Sequence, residues 1–322
     1  MITAFNMKKE ILNIIEKYET IIVVRHVRPD PDAYGSQVGL KTILQHNYPE
    51  KKVYADGTHD PSLTYLATQD EVAPETYEGA LVIVTDTGNT ERIDSAHYEK
   101  AAFVLKIDHH PDVDQYGDYR YVDTSASSTS EIIYQLFELG EKEKGWTFPQ
   151  EAARLLYAGI VGDTGRFLFP STTNETFRVA SALIRYEFDR SALYDAMYEV
   201  SRKVLKLEGY ILQNFEMNED GAAYIKVDRK LLEQFDLTAN ETSQLVGSLG
   251  NVEGICAWVM FIEEESGWIR VRFRSKGPTI NTIAAKYNGG GHRLASGAAI
   301  PSWDVAEEII QDIQDVCRNV SI

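Results

Sequence analysis

The stretch IIVVRHVRPDPDAYGS, residues 21–36, joins a run of four β-branched residues to a cluster of charged side chains. Such a run is typical of a strand that is buried on both faces, as in a parallel sheet covered by helices. His26, Asp30 and Asp32 follow within seven residues. A solvated loop could carry these side chains, but a buried strand that ends in them is also how an α/β protein presents nitrogen and oxygen ligands to a metal ion.

Composition indicates a globular protein and limits its partners. The 322 residues are 43% hydrophobic, which favours two domains over one. A net charge of −17 opposes binding to long duplex DNA or to an anionic membrane surface. The two cysteines, Cys256 and Cys317, are too few for a disulfide framework or a cysteine zinc site. Because the sequence has no signal-peptide core and no apolar run of membrane length, we expect a cytoplasmic protein.

Short apolar runs alternate with segments of helical period in the first half of the sequence. We predict strands at residues 20–26, 52–56, 80–86, 103–108 and 119–122. Helices are predicted at residues 33–46, at 130–139 with Ser128 and Glu131 spaced as a capping box, and at 150–163. The alternation predicts an α/β fold with a parallel, doubly wound sheet flanked by helices.

The second half has a different organisation. Residues 174–217 are predicted to be wholly helical, because apolar side chains recur every three or four positions without proline. Strands follow at 222–228, 255–264 and 267–275, the last two as a hairpin, and then a helix at 281–287, the glycine-rich NGGGHRLASG and a closing helix from about Trp303. We therefore predict a first domain at residues 1–187, a helical linker at 188–217 and a smaller C-terminal α/β domain at 218–322.

Further candidate ligands follow the other predicted strands and one helix. They are Asp86 in VIVTDTG, Asp108, His109 and His110 in KIDHHPD, and Asp163 in GIVGDTG. The carboxyl ends of parallel strands meet at one edge of a sheet, so these residues could lie together. One such acid is usually a turn residue, but five acids and three histidines at equivalent places cannot sit together without cations. The number of ligands fits two divalent metal ions that share a bridging carboxylate.

These motifs resemble those of the DHH phosphoesterase superfamily. HVRPDPDAYGS, TDTG, DHHPD and GIVGDTG resemble its four motifs, and NGGGHRLASG resembles the glycine-rich signature of the DHH-associated C-terminal domain. Motifs in this order, from His26 to Gly297, are far more specific than a DHH triplet alone. The sequence is most similar to the compact stand-alone members that degrade very short oligoribonucleotides and remove the 3′-phosphate of 3′-phosphoadenosine 5′-phosphate (pAp). Related members hydrolyse pApA or cyclic di-AMP.

The resemblance implies a role for each motif residue. Asp108 would orient a neighbouring histidine, and His110 would face the substrate phosphate. Mixed oxygen and nitrogen ligands favour two Mn²⁺ ions as cofactors, with Mg²⁺ or Co²⁺ as substitutes. The metals would activate a water that attacks phosphorus in line. The implied ligands are His26 and Asp30 on one metal, Asp32, His109 and Asp163 on the other, and Asp86 as the bridge.

The segment 266–303 reverses the charge of the chain, because it contains basic residues and no Asp or Glu. Arg270, Arg272 and Arg274 alternate along a predicted strand and so share one face, where a guanidinium could bind phosphate. For the first two, a solvated strand face is an equally good interpretation. The glycines of GGGH allow a phosphate to approach the backbone closely. The candidate substrate-binding residues are Arg274, Lys276, Gly289, Gly290, Gly291 and His292.

Other classes of protein fit less well. The D-T-G triplets at Asp86 and Asp163 are also typical of aspartic proteases, but those need both triplets in β-lobes, and the second triplet follows a helical pattern. A pyrophosphatase of the same superfamily should lack the GGGH signature. A RecJ-type exonuclease for long DNA strands brings additional domains. A non-enzymatic nucleotide sensor is expected to have lost ligands, and none is missing here.

We therefore predict a two-domain manganese phosphoesterase, a hydrolase that acts in a cleft between its domains. The expected substrates are short oligoribonucleotides, cut from 5′ to 3′ with release of mononucleotides as the resemblance implies, and pAp, which is converted to AMP and phosphate. Cyclic di-AMP or pApA is the alternative. No long duplex DNA and no membrane partner are expected. The oligomeric state is open, with a homodimer among the alternatives.

Overall fold

The protein forms two compact units in a computed structural model that describes residues 4–319. The first unit ends at Tyr198 and the second begins at Glu199, within the stretch predicted as a linker. The domain bounds 1–187, 188–217 and 218–322 stay a prediction, and their outermost residues, 1–3 and 320–322, lie outside the described part. Among residues 4–319, no helix is long and apolar enough to cross a bilayer.

The first unit is built on a five-stranded parallel sheet in the order β2-β1-β3-β4-β5. All residues of the central β3 are buried, as the run LVIVT requires. This sheet and the helices around it confirm the predicted α/β fold class. The strands are β1 (Thr20–Val24), β2 (Lys52–Ala55), β3 (Leu81–Thr85), β4 (Phe103–Asp108) and β5 (Tyr119–Val122).

The described part of the first unit has six α-helices, which form one core with the sheet, while Tyr77, Ile93 and Tyr116 from turns and loops cover its other face. They are α1 (Ala4–Lys17), α2 (Pro31–Asn47), α3 (Thr129–Lys144), α4 (Gln150–Asp163), α5 (Asn174–Leu183) and α6 (Arg190–Tyr198). Short 3₁₀ turns lie at Pro61–Leu63, Pro74–Tyr77, Thr90–Arg92 and Tyr98–Lys100.

Side chains determine where the site-bearing elements begin and end. The predicted strands at 20–26, 52–56 and 80–86 run too far, since each ends before the charged residue that closes its predicted range. Asp86 also has a φ of 52°, which a strand does not accommodate. Helix α2 begins earlier than predicted, at Pro31, because the Asp30 carboxylate caps it by accepting from the Asp32 and Ala33 amides at 3.0 Å.

The predicted capping box of α3 is only half formed. Ser128 Oγ accepts from the Glu131 amide at 3.1 Å, as predicted. The Glu131 carboxylate instead accepts from the hydroxyls of Ser127 at 2.6 Å and Thr176 at 2.8 Å. A buried carboxylate needs such partners, so Glu131 joins α3 to α5 rather than returning to its own helix cap.

The second unit is a six-stranded mixed sheet in the order β10-β11-β9-β8-β7-β6. The predicted hairpin is confirmed, since β8 and β9 pair antiparallel. The strands are β6 (Glu216–Met217), β7 (Ala222–Val227), β8 (Ala257–Glu263), β9 (Ile269–Ser275), β10 (Gly290–His292) and β11 (Ala295–Ile300). The helices are α7 (Arg202–Asn214), α8 (Arg229–Phe235), α9 (Asn281–Lys286) and α10 (Trp303–Arg318), with a 3₁₀ segment at Ser243–Asn251.

The prediction of an unbroken helical stretch at 174–217 is wrong. The stretch divides into α5, α6 and α7 and ends in β6. Asp189 and Ser201 interrupt it because their side chains accept from the amides of Ala192 at 2.9 Å and Val204 at 3.3 Å, which starts a new helix each time. Likewise, the glycine-rich stretch is not only a loop, because it forms the paired strands β10 and β11.

Helices α2 and α4 pack closely because glycines lie at their interface. A Cβ added to Gly35 would lie 2.5 Å from the carbonyl oxygen of Leu155, a backbone atom that cannot move alone. We expect Gly35→Ala to lower the free energy of unfolding of the first unit by about 1–3 kcal/mol through overpacking. Thermal unfolding followed by circular dichroism measures this loss.

A helical glycine in an open position provides the control. A Cβ at Gly209 in α7 would meet no atom within 4 Å, so Gly209→Ala should be neutral or stabilise by up to about 1 kcal/mol through helix propensity. A Gly35→Ala variant that unfolds at the wild-type temperature would show that the helix pair can separate without cost.

Candidate metal centre

The carboxyl ends of β1, β3 and β4 lie side by side in the sheet, and the predicted metal ligands meet there. His26 follows β1, Asp86 follows β3 and His109 follows β4. The ends of two helices complete the cluster, since α2 begins beside Asp30 and Asp32 and α4 ends at Asp163. Three groups have ligand atoms within 4.8 Å of one another: His26, Asp30 and Asp86; Asp32, His109 and Asp163; Asp86, His109 and His110.

Asp86 connects the groups because its two carboxylate oxygens face different histidines. Oδ2 lies 3.5 Å from His26 Nε2, and Oδ1 lies 3.5 Å from His109 Nε2. Beyond these contacts, His26 Nε2 lies 3.7 Å from Asp30 Oδ2, and His109 Nε2 lies 3.1 Å from Asp163 Oδ2. The geometry is that of a carboxylate between two sets of ligands. Which residue binds which metal stays a prediction.

Unsatisfied polar atoms indicate that this cluster fits cations. Asp86 Oδ2 is buried and has no hydrogen-bond partner among the described residues, and the buried His109 Nε2 has only its contact with Asp163. Buried polar atoms in proteins almost always have a partner, and a metal ion could take that place by coordination. Carboxylate oxygens and imidazole nitrogens together are a donor set for divalent metals.

The electrostatics of the carboxylates support the same interpretation. Burial, added to the nearby charges of Asp32, Asp30 and Asp163, raises the pKa of Asp86 well above its usual range. Burial and the charge of Asp32 raise the pKa of Asp163 to about 7, and burial also raises the pKa of Asp32 itself. These acids therefore resist full ionisation as a group unless positive charge joins them.

The histidine between the carboxylates supplies part of that charge in the metal-free protein. Burial alone would lower the pKa of His109, but contact with Asp163 and the charges of Asp86 and Asp32 raise it to about 10. A cation that binds at His109 Nε2 must therefore displace a proton.

Helix α3 positions two of the carboxylates with its N-terminus. The amides of Thr129 and Ser130 donate to Asp32 Oδ2 at 2.7 Å and to Oδ1 at 2.9 Å. The Thr129 hydroxyl donates to Asp86 Oδ1 at 3.1 Å. The space for Asp32 depends on Gly159, where an added Cβ would lie 2.7 Å from Asp32 Oδ1. Free amides at a helix N-terminus stabilise negative charge, so α3 fixes both acids without neutralising them.

His26 is oriented by two contacts to Nδ1. The Val27 carbonyl oxygen lies 2.9 Å from Nδ1 and favours a proton there, which leaves the Nε2 lone pair directed at Asp86. Arg92 Nη2 also lies 2.9 Å from Nδ1 and, as a donor, favours the opposite tautomer. A cation at Nε2 would select the first tautomer. The buried Arg25 donates to the His26 carbonyl at 3.0 Å and pairs with Asp94 at 2.6 Å.

Asp108 contacts the next histidine of the motif. Its Oδ1 lies 2.9 Å from His110 Nδ1 and accepts from the amides of His109 at 2.8 Å and His110 at 3.1 Å. Burial would raise the pKa of Asp108, but these bonds from His110 outweigh it and lower that pKa. Lys106 is fully buried, with Nζ 3.6 Å from Asp108 Oδ2. Of the histidine rings near it, Asp108 therefore contacts that of His110, and its orienting role stays a prediction.

The three arginines of β9 share one face, as predicted, but differ in their partners. Arg270 pairs with Glu264, 2.7 Å from Nε, and donates to Asn240 at 3.0 Å. Arg272 donates to the Ser243 hydroxyl at 3.0 Å. Arg274 contacts the Phe273 carbonyl at 2.8 Å and has no acidic partner among the described residues. Of the three, Arg274 is thus the most available to an anion.

Register places other predicted phosphate-binding residues beside Arg274. His292 of β10 lies opposite Ala295 of β11, which lies opposite Arg274 of β9, so the three side chains share one sheet face. An added Cβ at Gly290 would meet no atom within 4 Å, so that backbone is open. Three further candidates have other constraints: Gly289 has no room for a Cβ, Gly291 has a φ of 131°, and Lys276 Nζ donates to the Val252 carbonyl at 2.9 Å.

Two family matches agree with this architecture. Residues 20–160 match the DHH family, N-terminal domain, and residues 220–319 match the DHHA1 domain. The chain therefore belongs to the DHH family of phosphoesterases, and the resemblance stated from the motifs is confirmed.

Relatives with similarity along nearly the whole chain extend the match. The chain is 58% identical over 312 residues to the bifunctional oligoribonuclease and PAP phosphatase NrnA of Bacillus subtilis (strain 168). The match covers 97% of this chain and 99% of that relative. The cyclic-di-AMP phosphodiesterase GdpP of Geobacillus thermodenitrificans is 25% identical over 91% of this chain and 46% of its own length. An exopolyphosphatase-related protein from Bacteroides fragilis has the same fold, with a TM-score of 0.87, 24% identity and coverage of 97% and 98%.

The Thr129 hydroxyl provides a test of how Asp86 is positioned. We expect Thr129→Val to lower the affinity for Mn²⁺ by about 10–100-fold, because groups that orient a metal ligand typically contribute this much. Calorimetric titration of the metal-free protein with Mn²⁺ measures the affinity. Thr129→Ser retains the hydroxyl and should bind Mn²⁺ like the wild type. Wild-type affinity in Thr129→Val would show that the Thr129 hydroxyl does not position Asp86.

Proposed function

We propose that this protein is a two-metal phosphoesterase that hydrolyses short oligoribonucleotides to mononucleotides and converts pAp to AMP and phosphate. The position of Asp86 carries the proposal, since its two oxygens face His26 and His109 from opposite sides of one cluster. The substrate class is supported by the name of the Bacillus subtilis relative, which is similar along nearly the whole chain.

We assign the ligands to two divalent cations, for which the mixed oxygen and nitrogen donors favour Mn²⁺, with Mg²⁺ or Co²⁺ as substitutes. When bound, the cations supply activation of a water and stabilisation of charge on the phosphate. Burial of Asp86 keeps bulk water from competing for its oxygens. The assigned sets are His26 with Asp30, and Asp32 with His109 and Asp163, joined by Asp86.

His110 is proposed to contact the phosphate that is attacked. Asp108 binds the Nδ1 edge of its ring, so Nε2 lies on the opposite edge and is available. From that edge the ring can donate a hydrogen bond to a phosphate oxygen. Asp108 is thus a positioning residue, and the buried Lys106 balances part of its charge.

In the second unit, the face that carries Arg274 and His292 is proposed to bind another phosphate or the end of the substrate. The open backbone at Gly290 allows close approach of an anion. Gly289 and Gly291 are proposed to shape the backbone beside that face, because only glycine fits there, and Lys276 is proposed to add positive charge near it. Cleavage from 5′ to 3′ is proposed because the family resemblance implies it, and a cytoplasmic location because the sequence has no signal-peptide core.

The first experiment compares four substrates with Mn²⁺ and after chelation: a 5′-phosphorylated RNA dinucleotide, a long RNA strand, pAp and cyclic di-AMP. We expect the dinucleotide to be hydrolysed fastest, pAp to be hydrolysed as well, and chelation to abolish both activities. Faster cleavage of cyclic di-AMP would instead indicate a cyclic di-AMP phosphodiesterase, the activity in the name of the Geobacillus thermodenitrificans relative. No Mn²⁺-dependent hydrolysis of any of the four would support a nucleotide sensor.

Variants connect that activity to the cluster. Asp86→Asn keeps the size of the side chain and should reduce hydrolysis to background with an unchanged circular dichroism spectrum. Asp304 is exposed in α10, and Asp304→Asn should keep wild-type rates. Near-normal turnover in Asp86→Asn would refute the bridging role.

Arg274→Ala tests the phosphate-binding face of the second unit. Loss of a hydrogen bond to a charged group corresponds to about 1.5–3 kcal/mol, so KM for the dinucleotide should rise roughly tenfold or more. His292→Ala should act in the same direction. Steady-state kinetics of Arg270→Ala provide the control, since Glu264 already engages that guanidinium. Equal changes in the Arg274 and Arg270 variants would indicate a general charge effect instead of a site.

A further inference from the structure

A short loop directly after Asp163 exposes apolar side chains beside the candidate metal centre. The sequence is Gly-Arg-Phe-Leu-Phe at residues 165–169. Leu168 is 76% exposed and Phe169 is 54% exposed. Between residues 164 and 173 there is no acidic residue, in contrast to the carboxylates that precede them. The loop thus carries one basic residue, Arg166, and exposes two apolar side chains within six residues of the candidate ligand Asp163.

The backbone of this loop is held in an unusual conformation. Gly165, Arg166 and Phe167 have φ values of 53°, 63° and 66°, a region that side-chain-bearing residues rarely adopt. A run of such residues persists only where the surroundings impose it, and such runs are concentrated at functional positions.

Hydrogen bonds join the loop to the helix end that carries Asp163. The amides of Leu168 and Phe169 both donate to the Thr164 carbonyl at 2.9 Å, and the Phe167 amide donates to the Thr164 hydroxyl at 3.0 Å. The Arg166 amide donates to the Val161 carbonyl at 2.9 Å. The loop is therefore fixed relative to Asp163.

The two phenylalanines of the loop have different environments. Phe167 packs against the core of the first unit and stacks on Phe177 with ring centroids 5.4 Å apart. The edge of the Phe169 ring lies against Gly165, where an added Cβ would be 2.5–2.8 Å from Cζ, Cε1 and Cε2. Phe169 thus lies against the backbone two residues after a candidate ligand, and about half of its surface remains free.

We propose that Phe169, with Leu168 beside it, stacks on the nucleobase of the nucleotide whose phosphate is attacked. The inference rests on the proposed function, because that substrate places a flat apolar base one sugar away from a phosphate at the metal centre. Aromatic side chains stack on any base, so this contact favours nucleotides over other phosphoesters without selecting a sequence. Leu168 and Phe169 are adjacent and both exposed, and contiguous exposed apolar surface is typical of binding sites.

Removal of the ring should matter only when the substrate carries a base. We expect Phe169→Ala to raise KM for a 5′-phosphorylated RNA dinucleotide by about 5-fold to 150-fold, the range for one base–aromatic stack. KM for the same compound with both bases removed should not change. Phe169→Trp, which retains an aromatic face, should keep the wild-type KM for the dinucleotide.

Phe177 provides the matched control, because it is 55% exposed and stacks on Phe167 rather than lying against Gly165. Phe177→Ala should leave both KM values at the wild-type level. Unchanged KM for the dinucleotide in Phe169→Ala, or an equal rise for the compounds with and without bases, overturns the inference. A second result would also overturn the inference: Phe169→Ala has a different molar mass from the wild type in light scattering, while its KM still depends on the bases. The loop surface would then contact a second copy of the chain.

A binding measurement separates this inference from the proposed function. Stacking quenches the fluorescence of 2-aminopurine riboside 5′-phosphate, so titration with the Mn²⁺-loaded wild type should quench it and titration with Phe169→Ala should not. Quenching that depends on Phe169 supports the stack even if the wild type hydrolyses none of the substrates, in which case only the proposed function fails. Equal quenching by both proteins overturns the stack alone.

Discussion

Carboxylates that repel one another are brought to one edge of the first sheet, and the surrounding structure is arranged around that constraint. Asp32, Asp86 and Asp163 come from a helix start, a strand end and a helix end, and burial together with mutual repulsion raises the pKa of each. The structure opposes this repulsion with oriented dipoles, since the amides of α3 donate to both oxygens of Asp32. Full charge compensation is left to whatever cations bind.

Most of the cluster could be predicted from the sequence because parallel strands place their carboxyl ends together. Once IIVV, VIVT and FVLKID are interpreted as neighbouring strands, His26, Asp86 and His109 must lie near one another, whatever lies between them in the chain. The sequence predicts that Asp108 orients a histidine but not which one. The contact of 2.9 Å with His110 Nδ1 favours His110, and only tertiary geometry contains that information.

The parts that escaped prediction depend on contacts between distant segments. The Thr129 amide binds the Asp32 carboxylate although the two residues are 97 positions apart in the sequence. The sequence offered one indication of this contact, because the free amides at a predicted helix start can bind an anion. In NGGGHRLASG, glycine favours a loop locally, yet β11 pairs with β9 and β10 pairs with β11, so most of the stretch forms strands. The breaks in residues 174–217 arise from the caps at Asp189 and Ser201, whose side chains compete with helix continuation.

The close packing of α2 and α4 also affects the lifetime of the folded protein in the cell. Asp32 lies in the first turn of α2 and Asp163 is the last residue of α4, so these carboxylates meet only while the glycine-lined helix pair is docked. A cation that binds both acids binds only the folded arrangement and stabilises it by mass action. Metal supply then acts on abundance as well as on rate. A cell short of the ion would contain a population that opens more often and is degraded sooner.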